Sequence, residues 1–173
     1  MLFIETALES ASDGIADEAY FLNMAAIKRA ATLVGVPVHR ALYSVTAAVA
    51  VENDGAAIID APHAFSPSLV NWRDSPLGVA IADTKRPCII IAGFWLEEAV
   101  TFSVLSALGE GLDTYAMFDV IRTLDAPTTS LAQQRLILAG AVPTASGQVI
   151  REWAAHISEP AERHAILDTI ITT

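Results

Sequence analysis

A chain of 173 residues that is 53% apolar and only 17% charged has the composition of a folded globular protein and not of a disordered one. Its 20 acids against 10 bases set a net charge of −10, and no Lys/Arg cluster reaches the density that a phosphate backbone requires, so no nucleic-acid partner is expected. One cysteine excludes an intrachain disulfide.

The length suits a single domain over residues 1–173. A mean hydropathy of +0.46 is high for a lone soluble subunit. It points to a sheet buried on both faces, to apolar surface covered in a homo-oligomer, or to both. The start "MLFIETALES" lacks the basic segment of a secretion signal. The run "CIIIAGFWL" is about half the length of a membrane span. A cytoplasmic protein with no membrane partner is expected.

In chain order, "LFIE" (2–5) is a short apolar strand ending in an acid. "DEAYFLNMAAIKRAATLVG" (17–35) spaces Phe21, Met24, Ile27, Ala31 and Val34 as one helical face and stops at Gly35. "VPVHRALY" (36–43) reads as a second strand. "AAIID" (56–60), after an Asn-Asp-Gly turn, reads as a third. "SPLGVAIADT" (75–84) begins as helices begin, with Ser before a first-turn Pro. "CIIIAG" (88–93) has no polar alternation and suits a central parallel strand. A helix over 97–109, a strand over 113–121, a helix over 127–140, a short strand over 141–145 and two helices near 146–157 and 160–170 complete the chain.

Strand–helix alternation predicts an α/β fold of three layers, α/β/α, with a parallel sheet of about six strands. Ligands in such sheets bind beyond the carboxyl ends of the strands. Glu5 and the segments 43–46, 60–72, 93–99 and 119–124 are therefore the residues placed to do chemistry. The bend "GFWLEEAV" (93–100) occupies the usual perch of a nucleophile, yet it holds none. Cys88 begins the strand, roughly 16 Å away at 3.3 Å per residue, and is expected to be a small buried core residue.

These segments resemble the isochorismatase-like cysteine hydrolases, in the branch of small amidohydrolase-like proteins. The resemblance runs through "GFWLEEAV", through "TFSVLSALGEGLDTYAMFDV", through "QQRLILAGAVPTASGQVIREW" and through "SLVNWRDSP". It covers nearly the whole chain and is strongest over 87–153. It implies a six-stranded sheet of order 3-2-1-4-5-6 and frequent oligomers. It also implies three catalytic positions: an Asp base after the first strand, a Lys or Arg after the third, and a Cys nucleophile where the helix dipole favours a thiolate. In this chain those positions fall on Glu5, near Asp60, and on Ala99. The first keeps a carboxylate, the second has lost its positive charge, and the third has no reactive atom.

Other groups fall at the same edge. Glu97 and Glu98 suit the positive end of a helix dipole, and Glu98 has a rival role as a pocket group. Trp72 and Trp95 are expected to flank the pocket, as ligand platforms or as core aromatics. Glu5, Asp60 and His63 would form an acidic cluster, but it lacks the ligand pattern of the metal-bearing relatives, so neither a metal nor a cofactor is expected. No G-x-S-x-G elbow supports a serine nucleophile. The resulting expectation is an isochorismatase-like protein that binds a small-molecule ligand, regulates or scaffolds, rather than a catalyst. The alternative is a hydrolase of a small amide or ester that uses a carboxylate and water, with backbone amides at 98–100 as its oxyanion donors.

Overall fold

The computed structural model describes residues 1–6, 18–43, 63–65, 71–124 and 126–170. Within them the strands are β1 (Leu2–Thr6), β2 (His39–Tyr43), β3 (His63–Phe65), β4 (Cys88–Gly93), β5 (Asp113–Ile121) and β6 (Val142–Thr144). All pair in parallel, in the order β3-β2-β1-β4-β5-β6. The helices are α1 (Glu18–Leu33), α2 (Pro76–Asp83), α3 (Thr101–Gly109), α4 (Ala126–Leu138), α5 (Ser146–Ala155) and α6 (Pro160–Leu167).

Alternation along the strands divides the core in two. Leu2, Ile89 and Ile91 face a cluster completed by Leu77 and Ile81 of α2, Val104 of α3 and Leu136 of α4. Phe3, Ile90 and Ala92 face the other side, where Ile27 of α1, Ile150 of α5 and Ile166 of α6 close the layer. A strand whose neighbours on both faces are helices needs apolar residues at every position, and β4 is buried from Ile89 through Gly93.

Two expectations are corrected, and a third falls on residues that are not described. Helix α1 buries Tyr20, Ala26, Ile27, Ala30 and Ala31, whereas Phe21 is 51% exposed. The small alanines let the helix lie close to the sheet, and Phe21 instead packs edge-on to Tyr20 at 5.2 Å. Cys88 is exposed, not buried, because the first residue of β4 stands at the rim where the strand enters the sheet; the thiol pKa is raised chiefly by partial desolvation. The third strand expected over 56–60 lies outside the described residues, and the strand paired with β2 is His63–Phe65.

Helix α2 starts as its sequence requires. Ser75 caps it by accepting the Gly78 N–H at 2.9 Å, while its hydroxyl donates to the Trp72 carbonyl at 2.7 Å. Among the described residues no helix is long and apolar enough to cross a membrane.

Candidate functional site

The site is built where β4 turns into α3. Gly93 has a φ of +117°, which only glycine adopts readily, and the Phe94–Trp95 peptide that follows is cis. Leu96–Val100 then form a single π turn that runs directly into α3. The wide turn is visible in its bonding: the Val100 N–H reaches back to the Trp95 carbonyl at 3.0 Å, and the Thr101 hydroxyl reaches the Leu96 carbonyl at 2.5 Å. The Glu98 N–H also donates to Trp95, at 3.2 Å.

Ala99 lies inside this turn and is 0% exposed. It packs with Leu96, Val100 and Val104 in the α2–α3–α4 core. The position expected to carry a nucleophile is thus a methyl group in an apolar setting.

The two acids beside it are both engaged. Glu97 accepts the Leu124 N–H at 2.9 Å and the Thr129 hydroxyl at 3.4 Å, so it fastens the β5–α4 connection to the π turn. Glu98 accepts the Tyr43 hydroxyl at 3.0 Å. Tyr43 is the last residue of β2, level with Thr6 of β1, and β1 lies between β2 and β4. The Tyr43–Glu98 bond therefore crosses the carboxyl end of β1, a span of about two strand spacings of 4.8 Å.

Burial raises the Tyr43 phenol to about 12, with help from the hydrogen bond and charge of Glu98. Because the folded state holds this proton more tightly, the stabilisation is present below the ordinary tyrosine value of 10. It is lost as pH rises through about 12. The expected result is a phenol that ionises near 12 in the native protein and somewhat lower in Glu98→Gln, where burial, the larger cause, still holds it above 10. Near-ultraviolet phenolate absorbance, with Tyr43→Phe as the blank, measures it; an unchanged midpoint in Glu98→Gln would show that the bond does not form.

The remaining expected site residues are distributed differently. Trp72 is buried in the α2–α3 core, whereas Trp95 packs on the opposite sheet face, edge-on to Phe94 at 5.2 Å. The two tryptophans do not flank one pocket. Glu5 is level with Leu42 of β2, and His63 is level with Ala41, at the start of β3. Asp60 lies outside the described residues, as do the side chains of Glu5 and His63.

Two basic residues among the described ones bear on the expected Lys/Arg role, one following β3 in sequence and one at the carboxyl end of β5. Arg73, the first base after β3 among the described residues, is held by Glu110 through Nε at 3.0 Å and Nη2 at 2.7 Å. Glu110 follows the end of α3, roughly 16 Å along the helix from Ala99 at 1.5 Å per residue. Arg122 is at the correct edge, with its N–H on the Gly93 carbonyl. Its guanidinium, however, lies 5.2 Å from the Tyr20 ring, on the α1 side. Neither base faces Ala99.

Sequence reasoning placed Tyr43, Asp119 and Arg122 in segments 43–46 and 119–124 at the functional edge but gave none of them a role of its own. Each stands at or near the carboxyl end of a predicted strand, and that position was the available signal. Asp119 of β5 accepts the Ser146 N–H at 2.9 and 3.0 Å and the Ser146 hydroxyl at 2.6 Å. It borders a cavity of about 550 Å³ whose other polar walls are Asn23, Gln148 and Arg151.

This arrangement has known counterparts. The chain is 35% identical over 83 residues to the probable hydrolase YcaC of Escherichia coli K12, a match that spans 47% of this chain and 40% of that protein. The solved structure of the E. coli YcaC gene product, an octameric hydrolase of unknown specificity, aligns over 98% of this chain and 88% of its own, with a TM-score of 0.71 and 24% identity. An isochorismatase from Pseudomonas putida KT2440 aligns over 85% of this chain and 88% of its own, with a TM-score of 0.62 and 16% identity. The chain has the isochorismatase-like fold. The MAR1 ribonuclease of Caenorhabditis elegans shares that fold with a TM-score of 0.75 at 16% identity, over 99% and 90% of the two chains. No protein-family model matches the chain. The resemblance read from the bend, the following helix and the "AGAVP" unit is thereby supported.

Proposed function

We propose that this chain is a homo-oligomeric isochorismatase-family protein without cysteine-hydrolase activity, serving as a small-ligand-binding or scaffolding subunit. The observation that carries the reading is Ala99: the nucleophile's place is a fully buried methyl group. Two further features support it. The N–H groups of Glu98 and Val100 both donate to the Trp95 carbonyl, so they are not aimed at a substrate oxygen, and oxyanion donors must be aimed there to lower a barrier. The Tyr43–Glu98 bond also bridges the edge where a substrate carbonyl would enter. A carboxylate-and-water hydrolase would draw on the amides at 98–100, and two of those three are engaged by Trp95, which weighs against it. Oligomerisation fits the high hydropathy and the octamer formed by YcaC of E. coli.

The test is turnover of amide, isochorismate and N-carbamoyl substrates by the purified protein and by Ala99→Cys. Both are expected to match the buffer control. A thiol at position 99 would lack a basic partner and would face amides already committed to Trp95. Wild-type turnover that disappears in Glu5→Ala would overturn the proposal. Amidase activity in Ala99→Cys alone would show that only the nucleophile has been lost.

A further inference from the structure

Helix α4 is an unusual layer helix. It has 13 residues, yet Leu136 is the one its described side chains bury fully. On the side away from Leu136, Pro127, Leu131, Gln134 and Leu138 recur at intervals of four, three and four. This is the seam spacing by which two helices pack together. Leu131 is 65% exposed and Leu138 is 87% exposed, although an outward helix face is ordinarily charged.

The charge pattern indicates what covers it. The chain carries 20 acids, so two copies repel each other over most of their surfaces. Residues 126–145, "APTTSLAQQRLILAGAVPTA", contain no acid and a single base, Arg135. This segment is where a second copy can approach without like-charge repulsion between carboxylates. The seam is also self-complementary. A twofold axis between Gln134 and Arg135 sets Leu131 of one copy against Leu138 of the other and Gln134 against Arg135, with the two Gln134 residues flanking the axis.

We propose that α4 pairs with α4 of a second copy of this chain, antiparallel across that twofold axis. This deepens the homo-oligomer reading above and rests on it. A helix about 20 Å long supplies less than the ~800 Å² per partner that a stable interface buries. The contact therefore extends onto the apolar residues exposed at its two ends, Leu124 at 49% and Val142 at 44%. The axis is isologous, as in most homodimers.

Light scattering after size exclusion reads the mass in units of the 18.3 kDa chain. Wild type is expected as a multiple of that unit, and Leu138→Glu at half the wild-type mass or less with an unchanged circular dichroism spectrum. In a Cys88→Ser background, Gln134→Cys is expected to give a disulfide-linked dimer on mild oxidation, while Gln148→Cys on α5 gives none. A multimer that survives Leu138→Glu and does not cross-link through position 134 would overturn the α4 pairing and leave the oligomer itself standing. A monomeric wild type would overturn both, assigning the face to a different partner. If Leu138→Glu fails to fold, the cross-link decides.

Discussion

Replacing Gly78 with alanine is expected to destabilise the protein by about 3 kcal/mol, within the upper range for overpacking a core. For a chain of this size that lowers the melting temperature by roughly 6 to 12 °C. Alanine is ordinarily favoured over glycine inside a helix by up to about 1 kcal/mol, so the expected sign runs against propensity. The reason is contact. A Cβ at position 78 would stand 1.9 Å from the Trp72 carbonyl oxygen and 2.8 Å from its carbon. Both are backbone atoms, which no side-chain rotation can move aside. The 3-10 turn Trp72–Asp74 would have to shift, and with it the Ser75 hydroxyl that links Trp72 to the Gly78 N–H. Trp72 would then leave the core against α2 and α3. Gly109→Ala is the control, because a Cβ there meets nothing within 4 Å; it is expected to be neutral or to stabilise by about 0.5 kcal/mol. Thermal melts of the two variants measure the contrast, and equal melting temperatures would refute the contact argument.

The same turn shows what the sequence made legible. "SP" before an apolar run signals a helix start, and α2 begins at Pro76 with Ser75 as its cap. Gly93 ends β4 and Gly140, at a φ of +108°, follows α4, as a residue free to adopt positive φ should. Local chemistry decides such boundaries, so they can be read without the fold. The run "CIIIAG" announced a strand buried on both faces because burial on two sides leaves no place for alternation. What stayed hidden depends on contacts between distant segments. Tyr43 and Glu98 are 55 positions apart and meet only because the sheet order brings the end of β2 and the turn after β4 to either side of β1. Phe21 reads as a core residue by periodicity, but the alanines at 26 and 30 decide which face approaches the sheet. Cys88 reads as a core residue by type, and its exposure follows from its place at the strand's first position. That position 99 carries no reactive atom is plain from the residue itself, and the structure adds that it is buried. That both bases near the site are turned elsewhere, Arg73 to Glu110 and Arg122 to Tyr20, needed the coordinates.

Loss of the Asp119 carboxylate should be nearly as damaging as the overpacked turn. Asp119→Ala is expected to cost about 3 kcal/mol, since hydrogen bonds to a charged group contribute roughly 1.5–3 kcal/mol and an acid at a helix start adds about 0.3–1 kcal/mol through the dipole. The physical need arises at α5. Its cap residue is Ala145, which has no side chain able to accept a bond, and the first turn of any helix leaves N–H groups without intrahelical partners. Asp119 supplies the missing acceptor from the neighbouring strand, with both oxygens on the Ser146 N–H and one on its hydroxyl. Ser146 is 3% exposed, so its N–H depends on a protein acceptor. The bond also ties the end of β5 to the helix that follows β6, and thereby holds the wall of the 550 Å³ cavity. Asp119→Asn keeps an oxygen for the Ser146 N–H and is expected to recover about half of the loss, on the twofold difference between charged and neutral hydrogen bonds. Ser146→Ala removes the hydroxyl but keeps the N–H, and is expected to cost about 1 kcal/mol. Denaturant titrations of the three variants check this order. If Asp119→Ala unfolds no earlier than Ser146→Ala, the carboxylate does not cap α5, and the helix start is held by the packing of Val149 and Ile150 in the α1–α5–α6 core instead.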